Sequence, residues 1–148
     1  MRNVDTRQYV SMLRDLVREG KEVSMLITGS SMSPFLLSHK DSICFKAPWR
    51  PLRRGDMVFY ERETGQFVMH RICEVRSDGL YIVGDAQHDI EGPVAPSQVF
   101  GLVTKAHRRG KWIGPEDAWW KFYEHIWIRL IPLRPMIFKL YRFFTGKK

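Results

Sequence analysis

Residues 56–83 read DMVFYERETGQFVMHRICEVRSDGLYIV and decide the fold class. Three runs rich in apolar, β-branched and aromatic residues, at 56–61, 66–76 and 79–83, are separated by short stretches rich in Gly, Asp and Ser. Runs of this length bounded by turn residues are typical of β-strands. No helical pattern of 10–15 residues intervenes, which argues against βαβ units.

The same texture continues on both sides of this stretch. Further strands are predicted at 23–28, 42–46 and 98–106, with Gly, Pro and Asp between them. We therefore predict a mainly β domain with an antiparallel, barrel-like sheet. The chain of 148 residues is long enough for one domain with a hydrophobic core.

An amphipathic helix is predicted at 5–19, ahead of the first strand. Asp5 is a candidate N-cap, with Gln8 three residues later, and Gly20 suits the C-terminal end. The apolar face repeats at helical spacing and consists of Val10, Leu13, Leu16 and Val17.

The positive charge lies in the C-terminal part of the chain. The net charge is +8, yet residues 1–104 carry 13 Lys and Arg against 13 Asp and Glu, whereas residues 105–148 carry 11 against 3. Aromatic and apolar residues are also dense after Gly110, with Pro132 and Pro135 breaking the helical pattern. We therefore divide the chain into a domain at 1–110 and a basic aromatic helical tail at 111–148.

Three interpretations of residues 112–148 stay open. The segment is a pair of helices packed on the β domain, an interfacial helix on an anionic membrane, or a nucleic-acid-binding element. The last is disfavoured because no DNA-binding motif is visible. The side chains that suit a lipid headgroup zone are Trp119, Trp120, Tyr123 and Trp127, flanked by Lys121, Arg129, Arg134, Lys139 and Arg142.

The sequence also bears on location and cofactors. It shows no signal-peptide pattern and no run of about 20 apolar residues, so we expect a cytoplasmic protein that is peripheral on the membrane. The two cysteines, Cys44 and Cys73, are either buried thiols, as their apolar neighbours favour, or a disulfide. No Cys/His spacing resembles a zinc site, and we predict no metal and no cofactor.

Ser31 and His70 are the first candidates for chemistry. Ser31 follows a predicted strand within Gly29-Ser30-Ser31-Met32-Ser33-Pro34, a turn that can expose a hydroxyl, although most such turns are only turns. Strand alternation places His70 on an apolar face, where a core histidine is the simpler interpretation. Beside a serine, however, an imidazole can accept the hydroxyl proton.

Asp85 and Asp89 are the candidate acids, within Gly84-Asp85-Ala86-Gln87-His88-Asp89. Asp85 suits a turn in which its carboxylate bonds the backbone. Alternatively, a buried carboxylate near His70 would fix the tautomer of the imidazole.

Five ordered motifs together resemble the signal peptidase I family over residues 25–105. They are Gly29–Pro34 as quoted, then Arg54-Gly55-Asp56-Met57-Val58, His70-Arg71-Ile72, Gly84-Asp85 and Gly101-Leu102-Val103. The resemblance implies a serine endopeptidase that cuts a signal or leader-like peptide with small residues near the cut. It also implies Ser31 as the nucleophile and His70 as the base, as in the Ser-His branch.

In that branch a downstream Asp completes a triad. Asp89 is the best match to it, and Asp85 remains an alternative as a structural or orienting residue. Many members have a serine where this chain has Gly29, so the side-chain donor to the oxyanion is missing there, with Thr28 and Ser30 beside it. The backbone N–H of Ser31 is the remaining donor.

Two alternatives to a leader peptidase stay open. One is a cytosolic self-cleaving or regulatory protease, similar to the repressor autoproteases that share this β fold. The other is a binding module that keeps the fold without the chemistry. Four residues are candidates for the lining of the substrate cleft, although core packing is the simpler interpretation of each: Phe35, Leu36, Leu37 and Val58.

Overall fold

The computed structural model describes residues 6–145. Within that range one helix precedes a single sheet and further helical segments follow it. The strands are β1 (Val23–Leu26), β2 (Ser42–Lys46), β3 (Met57–Glu61), β4 (Phe67–Arg76), β5 (Gly79–Val83), β6 (Glu91–Val94), β7 (Val99–Arg108) and β8 (Lys111–Ile113). The longer helices are α1 (Thr6–Arg18) and α3 (Arg134–Thr145), and α2 (Ala118–Lys121) is a single turn.

The sheet is antiparallel throughout its described pairings. The strand order is β1-β2-β7-β3-β4-β5-β6, with β8 as a hairpin partner of β7. The mainly β, antiparallel prediction is confirmed. The edge strands β1 and β6 do not pair with each other in residues 6–145, so the sheet is open and a closed barrel is not formed.

The predicted strands lie where the sequence placed them, with bounds shifted by one or two residues. Two short strands, β6 and β8, were not predicted. β6 contains Gly92 and Pro93, which normally argue against a strand, but Pro is tolerated at a sheet edge because its missing N–H faces away from the ladder. β8 has only three residues, too few for a periodic signal.

The helix α1 confirms the N-terminal prediction and closes one side of the core. Val10, Leu13 and Val17 are buried on its inner face against the sheet. The predicted cap Asp5 lies outside the described residues. Arg14 ties the outer side of the helix to Glu61 at the end of β3, with an N–O distance of 2.6 Å.

The segment after β8 packs into the same core. Asp117 caps α2 by accepting hydrogen bonds from the backbone N–H groups of Trp119 and Trp120. Trp120, Tyr123 and Trp127 are buried, each 6% exposed, against the main core cluster. Their assignment to a lipid headgroup zone is therefore wrong, and Trp119, 54% exposed, is the one of the four that faces outward.

A series of short turns carries the chain from α2 to α3. A π-helical turn (Phe122–Ile126) and two 3₁₀ turns (Trp127–Arg129 and Ile131–Leu133) precede α3. Pro132 lies in the last of these turns, as a helix breaker should, and Pro135 occupies the first turn of α3, where its missing N–H costs nothing.

Two smaller observations complete the fold. Cys44 and Cys73 are free thiols, the first buried and the second half-buried, so no disulfide joins them. Among the described residues no helix has the length and apolar character needed to cross a bilayer.

Candidate active site

The turn that carries Ser31 is held by its backbone. Ser33 donates from its N–H and from its hydroxyl to the carbonyl of Ser30, at 3.1 and 3.0 Å. The carbonyl of Ser31 accepts from the N–H of Ala86 at 2.8 Å, which fixes this turn against the Gly84–Gln87 loop. Within residues 6–145 no backbone carbonyl accepts the N–H of Ser31. This N–H is therefore a candidate donor to a carbonyl group bound beside Ser31.

Gly84 is the residue that lets the two loops approach. A Cβ atom at this position would lie 2.6 Å from the carbonyl oxygen of Ser31 and 2.8 Å from Oε1 of Gln87. No larger residue fits without moving the backbone of the serine turn. The glycine of the Gly84-Asp85 motif thus has a steric explanation that involves Ser31 directly.

His70 lies in the middle of β4, opposite Val58 of β3. It is 8% exposed and shares its sheet face with Val68 and Ile72, as alternation predicted. His70 and Ser31 line the same cleft. The part of the chain that the structure describes shows no hydrogen bond between the two side chains, so they share a cleft without being hydrogen-bonded.

Burial, and to a smaller extent the positive charge of Arg62, lower the pKa of His70 to about 4, against the opposing effect of Glu91 and Asp85. The imidazole is therefore neutral at pH 7. Neutral imidazole is the form that can accept a proton from a hydroxyl group. A base with so low a pKa is nevertheless weak, since efficient bases have a pKa near the working pH.

Asp85 is fully buried and pairs with Arg71 instead of His70. Arg71 donates from Nε to Oδ1 at 2.8 Å and from Nη2 to Oδ2 at 2.9 Å, and its Nη1 donates to the carbonyl of Gly55 at 3.0 Å. Both carboxylate oxygens are thus occupied by one guanidinium. Of the two roles left open for Asp85, the geometry supports the structural one.

Asp89 lies on a second pocket, which His70 also lines. Its side chain is 98% exposed, and its near neighbour is Nε2 of His88 at 3.9 Å. The structure brings Asp89 to the neighbourhood of His70 but shows no contact between them. In the described residues, therefore, no hydrogen bond between Asp89 and His70 supports a triad.

Glu91 is the acid that the sequence analysis missed. It lines the second pocket together with His70, accepts the hydroxyl of Tyr60 at 2.7 Å, and forms a two-pronged pair with Arg62 at 2.8 and 2.9 Å. Burial raises the pKa of Glu91, but the hydrogen bonds from Arg62 and Tyr60 outweigh it and the net shift is downward. Glu91 is therefore an anion close to the imidazole.

The missing signal for Glu91 was β6 itself. Glu91 pairs opposite Ile82 of β5, so its position follows only once β6 is known to be a strand. An edge strand that includes Gly92 and Pro93 places Glu91 beside β5, and this placement is the signal that could have identified Glu91.

The residues beside Gly29 differ in their relation to the cleft. Thr28 and Gly29 line the cleft with Ser31, whereas Ser30 does not. Of the two hydroxyl-bearing residues that flank Gly29, only Thr28 lines the cleft.

The cleft has a volume of about 700 Å³. None of the four residues left open between cleft and core lines it: Phe35, Leu36 and Val58 are fully buried, and Leu37 is exposed outside the cleft. Among residues 6–145 no group of three or more His, Cys, Asp or Glu side chains is arranged to hold a metal ion.

Comparisons with known proteins give no match. No family model, no curated protein and no solved structure was found to match the chain. The function is therefore argued from the geometry and chemistry of the site.

Proposed function

We propose that the chain is a serine endopeptidase of the signal-peptidase type, with Ser31 as nucleophile and His70 as base. The observation that carries the proposal is that Ser31 and His70, from separate parts of the sequence, line one cleft. Apo geometries of such sites are often loose and tighten when substrate binds.

The reaction is acyl transfer in two steps. Oγ of Ser31 attacks the scissile carbonyl while a ring nitrogen of His70 takes the hydroxyl proton. When the C–N bond breaks, His70 returns that proton to the leaving amine, and an ester to Ser31 remains. His70 then takes a proton from a water molecule, whose oxygen attacks the ester carbonyl. As the bond from this carbon to Oγ breaks, His70 returns the proton to Oγ of Ser31 and the other peptide fragment leaves as a carboxylic acid.

The electrostatics of the site favour this sequence once substrate is bound. The negative charge that develops on the substrate carbonyl oxygen faces the free N–H of Ser31. The same charge stabilises the imidazolium form of His70 by Coulomb attraction, which raises its pKa from the low value of the empty site. Glu91, anionic beside His70, acts in the same direction.

The test uses the full chain and a mixture of extended peptides, with cleavage detected by mass spectrometry. Ser31→Ala and His70→Gln should each lower the rate by a factor of about 10³ or more, without a matching loss of thermal stability. Ser30→Ala is the matched control, because Ser30 is exposed and does not line the cleft. Equal rates for wild type and Ser31→Ala would refute the proposal.

The absence of a Ser31–His70 hydrogen bond favours one competitor, a binding module without catalysis. The same experiment separates the two. A binding module would retain peptides on wild type and on Ser31→Ala alike and would release no fragments.

We also propose that the protein associates peripherally with an anionic membrane through α3. Its distal turns are uncovered, with Tyr141, Phe143 and Phe144 exposed by 67%, 75% and 78%. Lys139 and Arg142 flank this apolar surface, and the sequence contains no acidic residue after Glu124. Each basic residue near an anionic surface contributes about 1 kcal/mol, and each phenylalanine that leaves water about 1.5–3 kcal/mol.

Liposome co-sedimentation tests the membrane proposal. The double variant Phe143→Ser/Phe144→Ser should lose binding to vesicles that contain anionic lipid, whereas Val75→Ser, which removes an exposed apolar side chain from β4, should retain it. Binding that is unchanged in the double variant would contradict a role for α3.

A further inference from the structure

The cleft beside Ser31 is larger than a small side chain requires. Its volume of about 700 Å³ lies within the range of pockets that enclose whole ligands. The cleft thus has room for a larger side chain than the small residues that the resemblance to signal peptidases implies.

The floor of the cleft is apolar and belongs to the hydrophobic core. Helix α1 and strands β2, β3 and β4, together with the chain that follows β1, all contribute to it. The residues that form the floor are Val10, Ile27, Ile43, Phe59, Phe67 and Met69.

This floor is held in shape by aromatic packing behind it. The ring of Phe59 stacks on that of Phe100 with centroids 5.4 Å apart, and Phe67 meets Phe100 edge-on at 5.7 Å. Phe59 is 4% exposed, so the surrounding core fixes its position. The cleft is therefore pre-formed, and an apolar side chain can enter it without first reorganising the protein.

The rim of the cleft has a different character. Thr64, Gln66 and Gln87 line it with polar side chains. A peptide has the complementary distribution, because its backbone amides need polar partners while one side chain can be buried below them.

We infer that the substrate is a peptide with a bulky apolar residue, such as Leu, Met or Phe, close to the scissile bond. The inference rests on the proposed function, because only the proximity of the cleft to Ser31 and His70 relates its occupant to a cleavage site. The apolar side chain of the peptide packs against the floor of the cleft, and the peptide backbone on either side of it contacts the polar rim.

Cleavage selectivity is the first measurement. A peptide series in which single positions around the cut change from Ala to Leu to Phe is cleaved by the full chain, and kcat/KM is compared. One methylene group in an apolar pocket changes kcat/KM by about 10- to 200-fold. We expect Leu or Phe at one position to exceed Ala by at least about 10-fold. A preference for Ala at every position would overturn the inference.

Filling the cleft is the second measurement. Met69→Trp and, independently, Met25→Phe enlarge half-buried side chains that line the cleft, and each should reduce the Leu-to-Ala preference towards unity. Val75→Trp is the matched control, since it enlarges an exposed side chain of the same strand as Met69. An unchanged preference in both filled variants, with melting temperatures showing that they fold, would overturn the inference.

Binding separates this inference from the proposed function. Fluorescence anisotropy of labelled peptides with the Ser31→Ala variant measures occupancy of the cleft without chemistry. Tighter binding of the Leu and Phe peptides, in the absence of any cleavage by wild type, would support the occupant and refute the peptidase. If the Leu, Phe and Ala peptides bind equally, the cleft does not select bulky side chains and the inference fails whatever the protease assay shows.

Discussion

Asp85→Asn should destabilise the protein strongly, although it replaces only one carboxylate oxygen by an NH₂ group and keeps the shape of the side chain. Asp85 and Arg71 are 0% and 1% exposed and share two hydrogen bonds of 2.8 and 2.9 Å. The substitution removes the negative charge but leaves the guanidinium of Arg71 buried, where its further contact is the carbonyl of Gly55.

The magnitude follows from this burial. Removing one partner of a buried ion pair costs about 3–5 kcal/mol, because the remaining charge has neither water nor a counter-ion. A domain of this size has a total free energy of unfolding of about 5–15 kcal/mol. With a urea m-value of about 2 kcal/mol/M, the midpoint of unfolding should fall by roughly 2 M.

Urea unfolding followed by tryptophan fluorescence measures this shift, since the chain contains five tryptophans. Glu74→Gln is the matched control, because its pair with Arg76 is exposed on the same strand as Arg71 and should leave the midpoint unchanged. The double variant Arg71→Met/Asp85→Leu should recover most of the loss. A midpoint for Asp85→Asn equal to that of Glu74→Gln would refute the structural role of the pair.

Three further predictions concern the site. Gly84→Ala should impair cleavage and lower the melting temperature, because the new Cβ would lie 2.6 Å from the carbonyl oxygen of Ser31. Gly114→Ala is the control, since its nearest neighbour is 3.6 Å away and it should do neither. Equal effects of the two substitutions would contradict the steric argument. Because the pKa of His70 falls from its ordinary value near 6.5 to about 4 on folding, the unfolded chain binds the proton more readily between these values. Stability should therefore be full above pH 6.5 and decrease by about 3 kcal/mol as the pH falls to 4, relative to His70→Gln, as urea midpoints at several pH values would show. Glu91→Gln removes an anion that favours the imidazolium and should lower the pKa of His70 further, as NMR of the ring protons would measure. An unchanged or higher pKa would contradict this role of Glu91.

The sheet was predictable because its strands carry their own signals. β2 and β5 have the predicted bounds, and β4 begins one residue late, since alternation and turn residues mark them without reference to the rest of the chain. β6 was not predictable in the same way. Its Gly92 and Pro93 are compatible with a strand only at the sheet edge, and that location depends on the tertiary structure.

In the candidate site, too, residues with local motifs were predictable, whereas a contact that depends on the tertiary structure was not. Ser31 and His70 were identified from local motifs, and the structure places them in one cleft. The partner of Asp85 was not identified, because alternation puts Arg71 on the face opposite His70, where an arginine is expected to meet solvent. That face is instead covered by the segment that includes Phe35, and Arg71 lies over its ring at 5.4 Å. Such coverage is a property of the whole chain and has no signature in any one strand.

The position of Arg134 in the chain determines when, during synthesis, the loop beside Ser31 can gain its last contacts. It donates to the carbonyl oxygens of Gly84 and Gln87, at 3.0 and 2.8 Å, and so braces the loop against which the Ser31 turn rests. Arg134 follows Gly84 by 50 residues, and a ribosome adds about 5–20 residues per second. A nascent chain therefore waits roughly 3–10 s between synthesis of the loop and synthesis of its brace. During this interval the Ser31 turn and its neighbouring loop exist without the contacts that Arg134 later supplies.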